Sequence, residues 1–439
     1  MTIAGSIRAE VYAPKVAARG ALYARRSSTD ERLGLQLGLW NQEWARLIQT
    51  VPYYRDLATQ AGKRAGFDSW DDFLRTVPVT TRALVKERVA DMSDTARPAE
   101  FHRITGGSTA EPVRLPAWHS EFEHTRYDLW MARGWYGITP ASRQFMLWGH
   151  SHLLGRGIKG QLNALRRRLK DRLLGYYRFS AYDLRPEVLK HAAAAMLEFR
   201  PDYLLGYSVA LDLFARAVGE FRERLRALGL KVTVGAAEAF PAPDSTDRLK
   251  DTLNCPIAME YGSVETDLLA HTTPEGGYRA FWLSYFMEAV REQEHAGAYR
   301  IRVTSLYPRC FPLVRYEIGD EVELPDTPGG LALGLDCFKR VLGRCNEFVL
   351  LPGGARIHSE AFTHAVRECT AILGYQVIAA GDCRLAIHYL SHEPLRDADI
   401  AGIKGRLERI NPQLAGAEFR RVERLEQTLA GKTRMVVLK

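Results

Sequence analysis

Residues 257–265 read Ile257-Ala258-Met259-Glu260-Tyr261-Gly262-Ser263-Val264-Glu265, an apolar run that ends in an aromatic ring, a glycine, a hydroxyl and a carboxylate. The run predicts a strand. The glycine lets the backbone come close to whatever lies at its C-terminal end. Three similar short runs precede it, Gln144 to Trp148, Tyr203 to Leu205 and Val232 to Val234. Helical stretches at 185–199, 208–228 and 243–253 separate them, and this alternation predicts an α/β sheet with ligand loops at the strand ends.

On the N-terminal side, residues 31–91 read as helices, so residues 1–100 are expected to be largely helical. Leu33, Leu35, Leu37, Leu39, Trp40, Trp44 and Leu47 supply a broad apolar face, and Thr80 and Thr81 precede another helical stretch. After Gly276-Gly277 the pattern turns to β, with alternation at 279–290, 299–304 and 331–342 broken by Pro308, Pro312, Pro325 and Pro328-Gly329-Gly330. This predicts a β-barrel-like subdomain or a second sheet. Beyond Gly343, strands near 348–351, 375–380, 384–390 and 434–438 and helices near 359–370 and 396–410 predict a small α+β unit. At 439 residues the chain exceeds one ordinary core. Two domains are expected, 1–343 and 344–439.

Hydrophobic residues make up 46% of the chain and charged residues 26%, the composition of a globular rather than a disordered protein. The longest apolar runs fall far short of the roughly 20 residues of a membrane span. Met1 to Gly20 carries Arg8, Glu10, Lys15 and Arg19 and no signal-peptide core, so a cytoplasmic protein is expected. Six cysteines, at 255, 310, 337, 345, 369 and 383, form no Cys-x-x-Cys pair; buried reduced thiols fit better than a zinc site or a disulfide framework. The net charge of +8 is concentrated in Arg166-Arg167-Arg168-Leu169-Lys170-Asp171-Arg172. That stretch reads as a solvated helix face or as a landing strip for an acidic or phosphorylated acceptor, with no nucleic-acid partner expected.

Four further segments carry chemistry: Thr105-Gly106-Gly107-Ser108-Thr109-Ala110-Glu111-Pro112, Arg315-Tyr316-Glu317-Ile318-Gly319-Asp320, Gly343-Arg344-Cys345-Asn346-Glu347-Phe348 and Ala430-Gly431-Lys432. The first offers two glycines and three hydroxyls, which suit phosphate. A carboxylate such as Asp320 suits two hydroxyl donors on one ligand. In order and spacing these segments and 261–265 resemble the acyl-adenylate-forming enzymes, nearest the phenylacetate-CoA ligase branch. The resemblance runs from Val51-Pro52-Tyr53-Tyr54-Arg55 to Lys432. Ala110 stands where that family usually has glycine, Glu111 where many members have lysine, and Asn346 where aspartate is commoner.

The resemblance implies an acid-CoA ligase: carboxylate and ATP give acyl-AMP and pyrophosphate, then coenzyme A captures the acyl group. By the same likeness Thr105, Gly106, Gly107, Ser108 and Thr109 hold phosphates, Ala237 and Glu238 line the adenine, and Tyr261 packs on it beside Gly262. Ser263 meets the α-phosphate, Glu265 holds Mg²⁺, Asp320 binds the ribose hydroxyls and Arg344 reaches the nucleotide. Lys432 enters the closed site as the catalytic cation. The small domain pivots at 344–346 between half-reactions. The acid is expected to be an aryl or arylacetic acid, walled by Tyr136, Trp148, His150 and Tyr207, and Gly354 leaves a passage for the acceptor. Three points stay open: transfer to an amine, a hydroxyl or a carrier-protein thiol; a nucleotide-binding homologue without turnover; and the oligomeric state, a homodimer among the options.

Overall fold

The computed structural model describes residues 3–25, 28–104, 114–148, 157–181, 184–241, 244–291, 297–325, 331–344, 348–351, 356–358, 362, 365–366, 369, 371–380, 385–426 and 435–438. Five helices open the chain: α1 (Ile3–Ala24), α2 (Thr29–Thr50), α3 (Pro52–Gln60), α4 (Trp70–Thr76) and α5 (Arg82–Arg88). Ser28 starts α2 with a capping box. Its hydroxyl accepts from Glu31 N at 3.2 Å, and its own N–H donates to the Glu31 carboxylate at 2.7 Å. The buried face of α2 runs through Arg32, Gln36, Trp40, Trp44 and Leu47 at helical spacing. Leu35, expected on the apolar face, is 46% exposed. Gln36 is buried instead because its amide donates to Trp282 O at 2.7 Å and Tyr285 O at 3.2 Å.

A short hairpin, β1 (Phe101–Ile104) and β2 (Arg114–Ala117), leads into α6 (His119–Gly134). Strands and helices then alternate: β3 (Gln144–Leu147), α7 (Gly157–Leu174), β4 (Tyr176–Phe179), α8 (Pro186–Phe199), β5 (Tyr203–Tyr207), α9 (Ser208–Ala217), α10 (Arg222–Arg226), β6 (Val232–Ala236), α11 (Ser245–Leu253) and β7 (Ile257–Ser263); α7 and β4 add to the expected set, and the helix expected over 208–228 is divided into α9 and α10. Next come β8 (Asp267–Thr272) and β9 (Tyr278–Ala280). With β14 (Cys337–Phe338) they complete an eight-stranded sheet in the order β14-β9-β8-β7-β6-β5-β3-β4. β4, β3, β5, β6 and β7 are parallel, so their C-terminal ends share one edge. β8 returns antiparallel from β7. One face packs on α8, α9 and α11 through Phe145, Leu147, Leu204 and Phe214; the other buries Trp130, Met146, Leu205 and Val234.

The second sheet joins β10 (Tyr285–Arg291), β11 (Ala298–Ser305), β12 (Tyr316–Glu323), β13 (Leu331–Leu333) and β15 (Arg340–Arg344) in the order β13-β10-β11-β12-β15. Among the described residues its two edge strands do not pair, so it is an open antiparallel sheet and not a closed barrel. It shares one core with the N-terminal helices: the Trp70 and Phe286 rings stack at 3.5 Å within a cluster that also holds Trp40, Trp44 and Phe73. Arg315 adopts φ +46° and is buried, its guanidinium on the Glu288 carboxylate at 2.8 Å and on Leu74 O at 2.8 Å.

Residues 349–436 contribute a hydrophobic cluster of their own, including Val349, Phe362, Val377, Ile387, Ile403 and Leu407. A hairpin, β16 (Phe348–Leu350) and β17 (Arg356–His358), is followed by a four-stranded sheet of β18 (Gly374–Ala379), β19 (Leu385–Leu390), β20 (Glu418–Arg421) and β21 (Val436–Leu438), with the helix Asp397–Ile410. Cys255, Cys310 and Cys369 are buried thiols, whereas Cys337 is exposed; Cys345 and Cys383 lie outside the described residues.

Candidate nucleotide and acid site

β7 delivers its aromatic residue to the edge where the parallel strands end. Tyr261 is buried, and its hydroxyl donates to Asp320 Oδ2 at 2.9 Å, linking the central sheet to β12 of the second sheet. Asp320 in turn stands directly opposite Arg344 across the β12 and β15 ladder. Three segments of the motif set therefore converge on one place. The Arg344 backbone is described there, its side chain is not.

Past Tyr261 the strand register shifts, and a Cβ on Gly262 would lie 1.9 Å from Asp267 O. No side chain fits against that backbone, so glycine is the only residue this bulge admits. The β7 and β8 hairpin then turns through Val264, Glu265 and Thr266. Ser263 Oγ and Thr266 Oγ1 lie 3.1 Å apart, and each accepts from the other residue's backbone N–H. Asp267 closes the turn at φ +59°.

A buried ionic network holds this hairpin. Arg103, two residues before the predicted phosphate segment, is bonded to Asp267 Oδ2 at 2.9 Å, to Val264 O at 3.2 Å and to Glu121 at 3.1 Å. Arg309, 1% exposed, donates to Tyr307 Oη at 2.8 Å and to the Glu265 carbonyl, and pairs with Glu121 at 3.4 Å. Tyr285 donates to Thr266 O. Burial pulls the Arg309 pKa down, but Tyr307, Glu121, Tyr285 and Asp267 outweigh it and the net direction is up. Burial pushes Tyr307 up to about 12. The backbone around Glu265 is thus fixed by charge-assisted bonds. Among the described residues, however, its carboxylate makes no hydrogen bond or ion pair.

The sequence reading missed Arg103, Glu121, Asp267, Tyr285, Tyr307 and Arg309. Arg309 had one visible signal, a charged residue inside the apolar stretch Tyr307 to Val314.

Behind the network, His124 stacks on Tyr307 at 4.0 Å and faces Arg19 Nη2 at 2.9 Å. Only a neutral imidazole can accept from a guanidinium. Burial first, then Arg19 and Arg309, lower its pKa to about 3. The unfolded chain binds a proton below about 6.5 while the folded one resists it, so stability falls as pH drops from about 6.5 towards 3, by up to about 1.4 kcal/mol per unit. Urea unfolding of wild type and His124→Phe at pH 7 and pH 5 is expected to show a shallower pH dependence in the variant. Equal dependence would reject this account.

A Cβ on Gly235 would meet Met259 Sδ at 2.5 Å, so this glycine serves close packing of β6. Ala237 sits at φ +74°, a strained conformation for a side-chain-bearing residue, where β6 ends. Glu238 accepts weakly from Val209 N, at 3.4 Å, in the first turn of α9.

Of the acyl-wall residues, Trp148 and Tyr207 come together, ring centroids 4.3 Å apart, at the ends of β3 and β5. Tyr136 packs in the cluster on the opposite face of the sheet from Tyr207 and donates to Thr272 O at 2.9 Å. His150, Gly354, Lys432 and all of Thr105, Gly106, Gly107, Ser108 and Thr109 lie outside the described residues.

No known family's sequence profile matches the chain. Protein CapK of Staphylococcus aureus is 29% identical over 176 residues, a match spanning 39% of this chain and 37% of that protein's length. Among solved structures, 2-hydroxyisobutyryl-CoA ligase in its postadenylation state with 2-HIB-AMP superposes with a TM-score of 0.70 at 16% identity, over 94% of this chain and 90% of that one. The anthranilate CoA ligase AuaEII with anthranoyl-AMP gives 0.53 at 15% identity, over 76% of this chain and 65% of that one. The chain therefore has the fold of the acyl-adenylate-forming ligases.

Proposed function

We propose that this protein is an ATP-dependent, AMP-forming acid ligase that converts a carboxylic acid to acyl-AMP and passes the acyl group to coenzyme A. The carrying observation is the Tyr261 to Asp320 hydrogen bond, which makes one unit of an aromatic ring and a carboxylate 59 positions apart at the strand-end edge. In that reading the adenine lies on Tyr261 and the ribose hydroxyls donate to Asp320. Ser263, fixed within its turn, meets the α-phosphate.

Glu265 fits a magnesium ligand. Mg²⁺ is commonly held by one or two carboxylates together with substrate phosphates, and this carboxylate is aimed from a rigid turn with no protein cation on it among the described residues. When bound, the ion neutralises phosphate charge. The chain's own part is to hold the Glu265 backbone through Arg309 and Arg103, to stack the base, and to bring Lys432 to the reacting anions. Residues 344–439 act as the mobile unit that carries Lys432, with the pivot at 344–346. Trp148 and Tyr207 form the acyl wall, two aromatic rings tilted 34° to each other that favour an aryl or arylacetic acid.

The test is a panel of aryl and alkyl carboxylic acids read by pyrophosphate release, with and without coenzyme A. Acid-dependent release, with a thioester detected by mass when coenzyme A is present, is the expected result. Adenylate without thioester would move the acceptor to an amine, a hydroxyl or a carrier protein. Nucleotide binding without release across the panel would overturn the ligase reading.

A further inference from the structure

Helix α7 is mounted with its apolar stripe facing outwards. Leu162, Leu165, Leu169 and Leu173 recur at spacings of three, four and four, so they share about 80° of helix circumference. They are 50%, 64%, 61% and 55% exposed. A surface helix ordinarily turns such a stripe to the core, as α9 does with Leu211 and Phe214. The inward side of α7 is polar: Asp171 is buried and accepts from Arg178 Nε at 2.7 Å.

The charges beside the stripe are all of one sign. On the same wheel Arg166 and Lys170 flank the leucines on one side, and Arg168 and Arg172 on the other; all four are exposed. The one carboxylate of α7, Asp171, points inwards. Alongside, α1 packs on α7 and exposes Ile7 and Val11, held in place by Arg8 donating to Tyr176 Oη at 2.6 Å.

We propose that α7 is an interfacial helix that docks this protein on an anionic lipid surface. Leucines flanked on both sides by cations let a helix lie flat at the headgroup boundary, apolar face down and cations among the phosphates. A second copy of the chain fits less well, because a two-fold pairing of this face would set its basic flanks against each other. No described helix is long and apolar enough to cross a membrane, so α7 lies on the surface.

The experiment is sedimentation of the full-length protein with vesicles of phosphatidylcholine alone or with one third phosphatidylglycerol, at low and high salt. Binding to the anionic vesicles only, weakened by salt, is expected. The pair Arg166→Gln and Lys170→Gln is expected to lower partitioning about twenty-five-fold, each cation near an anionic surface accounting for about fivefold. The pair Leu165→Glu and Leu169→Glu should abolish binding with circular dichroism and pyrophosphate release from a soluble acid unchanged. Three results would overturn the proposal: no sedimentation with anionic vesicles, sedimentation that both variants retain, or a wild-type dimer that the leucine pair converts to monomer without any vesicle binding. Capture by an acidic protein together with indifference to lipid would also overturn it.

Discussion

Lys432→Ala is expected to lower acid-dependent pyrophosphate release about a thousandfold while leaving the unfolding midpoint in place. Adenylation brings a carboxylate against the α-phosphate of ATP, and the transition state gathers negative charge that a cation must offset. A unit charge about 4 Å away, at an effective dielectric near 20, contributes roughly 4 kcal/mol, or about three decades in rate. The same variant should still make thioester from synthetic acyl-AMP and coenzyme A, since that half-reaction breaks the anhydride rather than forming it. Release within tenfold of wild type would remove Lys432 from the mechanism.

The second large effect is structural. Arg309→Leu is expected to lower the free energy of unfolding by about 3 kcal/mol, the lower end of the range for removing one partner of a buried ion pair. Arg103 stays on Glu121 at 3.1 Å and limits the loss. Arg309→Lys keeps the charge but not the planar fork, so it cannot serve Tyr307, Phe311 O and the Glu265 carbonyl together. Its Mg²⁺ requirement for pyrophosphate release should rise while its urea midpoint moves less than that of the leucine variant. A midpoint for Arg309→Leu equal to wild type would show that the network does not hold the hairpin.

The parallel sheet was legible because β3, β5, β6 and β7 are short apolar runs bounded by helical segments, and runs of that kind leave few alternatives. β12 was not read as a strand, since Tyr316 to Glu323 mixes charge and glycine and is held by its neighbours rather than by its own pattern. On α2 one leucine misled: Leu35 faces outwards while Leu33, Leu37 and Leu39 pack against the core, and the buried neighbour is Gln36, whose partners lie almost 250 residues away. The same limit applies at the site. Tyr261 and Asp320 were readable as parts of recurring segments, but Arg103 meets Asp267 across 164 positions, and no local pattern encodes such a pairing.

The shared core of N-terminal helices and second sheet bears on how the protein is made. Gln36 waits for Trp282, and Leu74 for Arg315, 241 positions later. At about 5–20 residues per second, the ribosome needs on the order of ten to fifty seconds to supply those partners, and over that interval Trp40, Trp44 and Phe73 have no sheet to cover them. Nascent chains of this protein should therefore depend on chaperones until β12 has emerged, and chains truncated before it should be recovered as aggregates.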